Sequence, residues 1–509
     1  MKKIKTGKAA IEKMLVGIDK VADAVTSTMG PKGRNVYIMD EMIPKITNDG
    51  VTIANKIVLA DQEEDAGAYI IRNVSSQQNE DVGDGTTSVT LLTQTIIHEA
   101  LKRPENPMVL KESLKLAGDK LLKILAKKSI KIEKDDIKKV ALISAENEEL
   151  AKLITEIIGK LGNDAVINVE DSKTFATDYE IVDGYEAQAG FMSPYFITDK
   201  KTGKAVYEDV SVLVVEKKIS NLQDIGVIFD QMQKAQISKC VIVCEDIEDS
   251  ILGLLVFNKM KGVFNSLVIR ATAETLRDVA GATGATAISN NTGITFQTVK
   301  LEHLGNAKKV VCDAGKTLFI GDGIASKAYA EELESRAENE TNMYVQKKIK
   351  DRVARLRGGI ASLRIGAPTD LEREYLKMKA EDAVKATQAA IAEGVVEGGG
   401  MALWRIAQEL NPKTPGEEIL RKSLTAPLKK IIENSGKEYA EIISQFKEGD
   451  GYDAKNDKIL KVIEAGIIDP AKVVRCGLEN AISSASTVIT TTAIITSVLH
   501  NRLRTLYAQ

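Results

Sequence analysis

Three short β-branched runs, Val210 to Val215, Cys240 to Cys244 and Ser266 to Arg270, follow one another with a helical stretch between each pair. That alternation marks parallel βαβ units, whose sheet needs helices on its faces to be buried. The flanks read differently. Ile11, Leu15, Ile18, Val21, Ala22 and Val25 recur at helical spacing, and from Leu59 to about Leu125 the pattern is helical almost throughout. An α/β module is therefore set within a helical one. The 509 residues require such a division, being too many for one hydrophobic core. The expected fold class is multidomain, α and α/β.

Composition narrows what such a chain can do. Lys+Arg 69 against Asp+Glu 72 leaves a net charge of -3, so no basic field is available for a nucleic-acid backbone. Cys240, Cys244, Cys312 and Cys476 have no CxxC spacing, and the three histidines lie far apart. Neither a disulfide framework nor a zinc site is expected, which suits a reducing, cytoplasmic compartment. Lys2, Lys3 and Lys5 precede an apolar stretch that Glu12 and Lys13 interrupt, so no signal peptide is expected. Ala481 to Leu499 is an uncharged run of 19 residues, but nine are serine or threonine, and it reads as a helix buried against protein rather than a membrane span.

The stretch Glu80 to Ser88 carries the strongest local chemistry. Gly83 and Gly85 permit the positive φ of a tight loop, and Thr86 can open a helix running through Val89, Leu91, Leu92, Ile96 and Ile97. Backbone N–H groups and hydroxyls at such a helix mouth suit a phosphate, and Asp84 beside it implies a bridging magnesium ion. An ordinary glycine-rich helix cap fits the same residues. Thr28-Met29-Gly30-Pro31-Lys32-Gly33 follows a helix and reads either as a C-cap or as a second nucleotide loop. Asp49 lies in an Asn-Asp-Gly turn, and Asp382 in the middle of a helix from Tyr375 to Glu393, where a solvated face is the default reading. Gly398-Gly399-Gly400 opens a last helical segment that continues through Gly451 to Ala454 and Ile467 to Pro470.

Within the α/β part, Ile225, Ile228, Phe229 and Met232 make one apolar helix face. The next helix, with Ile251, Leu252, Leu254, Leu255, Val256, Phe257, Met260 and Val263, holds more apolar residues than one face takes. It is either buried on both sides or presents an exposed groove. Phe191 to Phe196 adds aromatics in a proline-containing loop, and Lys327 to Arg357 reads as a solvated helix or helical hairpin.

Taken in order, Thr28 to Val36 (TMGPKGRNV), Asp84 to Thr87 (DGTT), Ser193 to Phe196 (SPYF), Lys218 to Asn221 (KISN), Gly394 to Gly400 (GVVEGGG) and Asp469-Pro470 resemble the group I, GroEL-type chaperonins over nearly the whole chain. The resemblance implies a chaperonin fold with a helical equatorial domain (1–126 and 393–509), a small α/β intermediate domain (127–182 and 361–392) and an α/β apical domain (183–360). It implies ATP binding by Thr28, Met29, Gly30, Pro31, Asp84, Gly85, Thr86, Thr87, Ser88, Gly399, Asp453, Ala454 and Asp469, with Asp84 on Mg2+ and K+ as a further cation. Asp49 and Asp382 match the carboxylates placed around the terminal phosphate and its attacking water, Asp382 arriving when the intermediate domain closes. Phe191, Tyr195, Phe196, Phe229, Leu252, Val256 and Phe257 fall on the groove for non-native polypeptide. Two stacked seven-membered rings of this one chain, meeting near Lys429 and Glu438, and a separate co-chaperonin lid are the implied partners.

Departures from that pattern bear on the site. Asn48 stands where lysine is usual and Asp453 where asparagine is usual, so both make the nucleotide site more negative. Gly226 replaces a large groove residue, Arg270 to Leu276 is shorter than usual, and the Gly-Gly-Met tail is missing. Two other classes compete with the resemblance: a metabolic α/β enzyme with polar groups converging at the strand ends near Val215, Glu245 and Arg270, and a non-hydrolysing scaffold.

Overall fold

The structure, a computed structural model, describes residues 2–39, 45–132, 134–162, 165–172, 174–200, 202–340 and 342–497. The chain divides into two compact units, Met1–Glu156 with Glu374–Gln509, and Ile157–Arg373.

The first unit is helical, as the periodicity demands. Its opening segment runs β1 (Lys2–Thr6), α1 (Lys8–Thr26), β2 (Val36–Ile38), β3 (Lys45–Thr47), α2 (Gly50–Lys56), α3 (Gln62–Val82), α4 (Thr86–Leu101), α5 (Pro107–Lys128), α6 (Lys134–Ala145) and α7 (Glu148–Leu161), whose last residues enter the second unit. Caps set the helix starts: Asp61 accepts from Glu63 N and Glu64 N ahead of α3, and Asn106 accepts from Met108 N ahead of α5, with Pro107 at the first turn.

The second unit is built on one eight-stranded sheet. In chain order it contains β4 (Val166–Asp171), β5 (Asp178–Ala187), β6 (Ala205–Ile219), α8 (Leu222–Lys234), β7 (Lys239–Ile247), α9 (Asp249–Met260), β8 (Asn265–Arg270), α10 (Ala273–Thr283), β9 (Gly305–Cys312), β10 (Thr317–Ile320), α11 (Ile324–Asn339), α12 (Met343–Arg357) and β11 (Gly359–Ile365). The strand order is β4-β11-β5-β10-β9-β6-β7-β8. β6, β7 and β8 are parallel and joined by α8 and α9, as the β-branched runs predict. The rest of the sheet is not a simple βαβ array: β9 runs antiparallel to β6, and β10 antiparallel to both β9 and β5. β9 and β10 form a hairpin whose turn is closed by Asp313 accepting from Gly315 N and Lys316 N. α11 and α12 form the expected helical hairpin. β5 pairs with β11 through Asp183 and with β10 from Gly184 onward, where a Cβ at Gly184 would overlap Phe319 O.

The chain returns to the first unit along α13 (Asp370–Glu393), then β12 (Val395–Glu397), α14 (Met401–Glu409), α15 (Pro415–Ser423), α16 (Ala426–Asn434), α17 (Tyr439–Ile443), β13 (Gly451–Asp453), β14 (Lys458–Leu460), β15 (Ile468–Pro470), α18 (Ala471–Ile489) and β16 (Ala493–Ser497). Ile18, Ile71, Leu92, Leu121, Leu478 and Ile482 knit α1, α3, α4, α5 and α18 into one core. Two expectations are corrected here. The Gly451 to Ala454 and Ile467 to Pro470 stretches are short strands, paired as β13–β14 and β12–β15. The uncharged run beginning at Ala481 is helical only to Ile489, and its β-branched continuation forms β16 against β1; Val498 and Leu499 lie outside the described residues. Among the described residues no helix is long and apolar enough to cross a membrane.

The second unit's largest buried charge is neutralised inside it. Asp278 of α10 accepts from Arg352 Nε of α12 at 3.0 Å and from Tyr185 Oη of β5 at 3.2 Å, while Arg352 also donates to Tyr329 Oη of α11 at 3.0 Å. Asp278→Ala strands the Arg352 guanidinium in the interior. It is expected to destabilise this unit by about 3–5 kcal/mol, read as a lower urea midpoint in full-length protein.

Candidate functional site

The site grows from the turn between α3 and α4. Gly83 closes α3 with φ 71 and Gly85 opens α4 with φ 77, both in the left-handed region expected of these glycines. Asp84 between them accepts from Gly85 N at 2.6 Å, and Gln78 Nε2 donates to Asp84 O at 3.0 Å and to Val473 O at 3.1 Å. The Asp84 to Ser88 loop is thereby tied to α18, and the free N–H groups of the first turn of α4 face its mouth.

Asp49 reaches the same place because Gly50 has no side chain. A Cβ on Gly50 would lie 2.7 Å from Thr87 Oγ1 and 2.8 Å from Thr86 Oγ1, so only glycine lets the turn pack on the start of α4. Asp49 itself caps α2, accepting from Thr52 N at 2.8 Å. Asp382 does not take the solvated face that its helix position predicts. α13 is pressed on the loop by Lys385, whose side chain occupies the space a Cβ on Gly83 would need and whose Nζ donates to Asn79 O at 2.9 Å. Ser144, at the end of α6, donates to Asp84 Oδ2 at 3.4 Å. Asp382 thus already stands with Asp84 and Asp49 in this structure.

Electrostatics record the convergence. Burial pushes the Asp382 carboxyl up to about 8, helped by the negative charges of Asp84 and Asp49. Burial and Asp84 push Asp469 up to about 7, against the stabilising Gly399 N–H. Burial also raises Asp84, and Lys379 of α13 is the cation whose field most opposes that rise. All three residues are partly exposed, yet surrounding protein is the largest cause of each rise.

The remaining predicted residues join from nearby. Thr28 Oγ1 donates to Val25 O at 2.7 Å, Asn434 Nδ2 holds Met29 O at 2.9 Å, and Gly30 has φ 82. Met29 packs with Leu91, Met401, Tyr452 and Ala454, bringing the first loop, α4 and the β13–β14 hairpin into one cluster, while Pro31 remains exposed. Gly399 has φ 65 and lies beside Asp469 of β15. Asp453 is buried, and its carboxylate is occupied by its own turn, accepting from Lys455 N at 3.0 Å and Asn456 Nδ2 at 2.7 Å. Gln78, Ser144, Lys379 and Asn434 escape motif reading. Gln78 and Lys379 carried a signal in retrospect: a polar residue on the buried stripe of α3, and a cation one turn from Asp382.

Asp84 fits a magnesium ion by the chemistry of its donor set. It is a hard oxygen ligand whose burial disfavours the charged form, and among the described residues no ammonium or guanidinium bonds to it. Among the described residues no group of three His, Cys, Asp or Glu side chains could hold a metal, so phosphate oxygens and water would complete the shell.

In the second unit, the apolar surplus of α9 resolves as two faces. Ile251 and Leu255 are buried on the sheet, while Leu254, Phe257, Met260 and the following Val263 are exposed, Phe257 at 55% and Met260 at 71%. Leu252, Val256, Phe191 and Phe229 are partly buried, with the Phe229 ring tilted against Phe264 at 5.0 Å between centroids. Tyr195 is 67% exposed, but Phe196 is 0% exposed and belongs to the core, so its assignment to a polypeptide groove is corrected. A Cβ on Gly226 would meet nothing within 4 Å, as a locally shallow surface requires. At the strand ends, Arg270 pairs with Asp246, Lys218 with Glu248 and Arg277 with Glu216, so these polar groups neutralise one another instead of converging on a ligand.

Comparison with known proteins places this arrangement in context. The family model described as TCP-1/cpn60 chaperonin family matches residues 21–498. Among solved structures, the chaperonin gp146 from the bacteriophage EL, crystallised in the presence of ATP-BeFx, is similar with a TM-score of 0.73 at 20% identity, covering 97% of this chain and 99% of that one. A second crystal form of that chaperonin matches with a TM-score of 0.66 at the same 20% identity and the same coverage.

The carboxylate crowding has a measurable consequence. Because Asp382 ionises at about 8 in the folded chain and at about 3.8 when unfolded, its contribution to stability is full at low pH and is lost as pH rises through 8. Without nucleotide or magnesium, the urea midpoint of the first unit is expected to fall between about pH 4 and about pH 8 and to level off above, and Asp382→Asn to flatten that decline.

Proposed function

The chain belongs to the TCP-1/cpn60 chaperonin family, and from that premise we propose that it is an ATP-driven protein-folding machine of the group I type. The observation that carries this reading is the meeting of Asp49, Asp84 and Asp382 at the Gly83 to Ser88 helix mouth. N–H groups and hydroxyls there bind phosphate oxygens, and Thr28 to Pro31, Gly399, Ala454 and Asp469 complete the nucleotide site. Asp84 would hold magnesium, which when bound would supply positive charge to the phosphate oxygens, with K+ as a further cation. Asp49 and Asp382 orient the attacking water. As its oxygen bonds to the terminal phosphorus and the bond to the bridging oxygen breaks, Asp382 takes the water's proton, leaving ADP and phosphate.

Asp382 carries a proton at neutral pH in the nucleotide-free chain. Its conversion to the ionised base requires bound cations to outweigh the negative charge of Asp84, Asp49 and the triphosphate. Hydrolysis is therefore coupled to site assembly, and α13 is the element through which an intermediate domain reports its position. The three-domain scheme, stacked seven-membered rings of this chain and a separate lid follow the same reading, as does a cytoplasmic location. The exposed Tyr195, Leu254, Phe257 and Met260 supply the apolar surface on which non-native polypeptide is held.

Turnover of ATP with magnesium and potassium, together with particle size by electron microscopy, tests the proposal; a monomer without hydrolysis overturns it. Asp382→Ala is expected to lower turnover about a hundredfold or more while nucleotide affinity stays close to that of the parent chain. Phe257→Ser is expected to weaken capture of a chemically unfolded protein roughly fivefold to tenfold with ATP turnover unchanged, measured by suppression of aggregation.

A further inference from the structure

Lys379 is out of place as an ordinary surface lysine. Its side chain is 12% exposed, and its Nζ is 2.8 Å from Glu146 Oε1, a carboxylate that is itself 55% exposed. Its ammonium also lies 5.8 Å from the centre of the Tyr375 ring. Covering most of an ammonium is costly unless its charge is used, and an exposed carboxylate is a weak reason to keep one there. Glu146 meanwhile occupies φ 51 just beyond α6, a left-handed position where glycine or asparagine is usual. Two elements that close on Asp84, the end of α6 through Ser144 and α13 through Asp382, are thus bridged by one ion pair.

The position of Lys379 gives that charge an object. It precedes Asp382 by three residues on α13, so the two side chains share a helix face. Asp84 and Asp382 both feel its field. Asn48, next to Asp49, brings no positive charge to the loop. A triphosphate entering this site adds further negative charge against a cluster of aspartates, and of the two α13 lysines whose fields reach Asp382, Lys385 is held on Asn79 O while Lys379 is held, among the described residues, only by the exposed Glu146.

We infer that Lys379 is a nucleotide-binding residue that exchanges Glu146 for an oxygen of the terminal phosphate when a triphosphate occupies the Asp84 to Ser88 loop. Glu146 acts as a holding partner, keeping the ammonium neutralised in the empty site. The inference rests on the nucleotide reading above and adds a discriminating contact: Lys379 senses the terminal phosphate, so it distinguishes the triphosphate from the diphosphate.

The test uses the full chain with magnesium and two probes, ADP alone and ADP with beryllium fluoride as the stand-in for the terminal phosphate. Lys379→Met is expected to weaken binding of ADP with beryllium fluoride by about tenfold or more and to leave ADP binding unchanged. Lys379→Arg should recover most of the loss, and Glu146→Gln, which releases the ammonium, should strengthen binding of ADP with beryllium fluoride a few-fold. Equal losses for both probes, no rescue by arginine, or weaker binding in Glu146→Gln would overturn the assignment. If the parent chain binds neither probe, the nucleotide reading itself fails and takes the inference with it. If the parent chain binds both and Lys379→Met matches it, the role of Lys379 alone fails.

Discussion

Negative charge crowded at one helix mouth is the constraint on which the first unit's chemistry depends. Asp49, Asp84, Asp382 and Asp469 come from four separate stretches, and local preference, such as the Asp49 cap on α2, does not by itself bring them together. Gly50 must lack a side chain for Asp49 to approach, Gly83 for α13 to pack, and Gln78 must bridge the loop to α18. Burial and the repulsion of neighbouring carboxylates raise Asp382 and Asp469 toward neutrality. Such a cluster calls for positive charge, which the fields of Lys379 and Lys385 on α13 supply only in part.

How much of this was legible in the sequence depended on the range of the contact. α1, α3, α4 and α13 follow from periodic apolar residues, and the glycines of the α3–α4 turn from their spacing. The three parallel strands were legible because β-branched runs bounded by helices are distinctive. The three-residue strands β12, β13, β14 and β15 were not, because so few residues carry no periodicity and their pairing is set by surrounding helices. The run after Ala481 misled for a related reason: serine and threonine suit both a buried helix and a strand, and β1 decides between them.

Asp382 shows the same limit at the site. Its mid-helix position predicted solvent, and only the resemblance to chaperonins gave it a role. The structure supplies the physical reason. The helix face that carries Asp382 is turned inward by small residues, with Ala380, Ala383, Ala386 and Ala390 buried and Lys385 laid over Gly83. Alanine keeps the backbone of α13 close enough for an aspartate, a short side chain, to join the loop. Lys379, longer by several bonds, reaches from one turn earlier.

The second unit presents its apolar surface by an equally specific arrangement of buried support. Phe196 and Tyr195 are neighbours in the sequence and look alike in composition, yet one is core and the other is exposed. Lys259 of α9 decides the matter: its ammonium donates to Tyr195 O at 3.1 Å and to Phe196 O, and it lies 5.7 Å from the Phe196 ring. Burial lowers the affinity of that ammonium for its proton, so the carbonyls are needed to keep it charged. Fixing the Pro194–Phe196 turn to α9 through Lys259 drives Phe196 inward and leaves Tyr195 outward. An apolar patch held this way stays exposed without collapsing into the unit's own core.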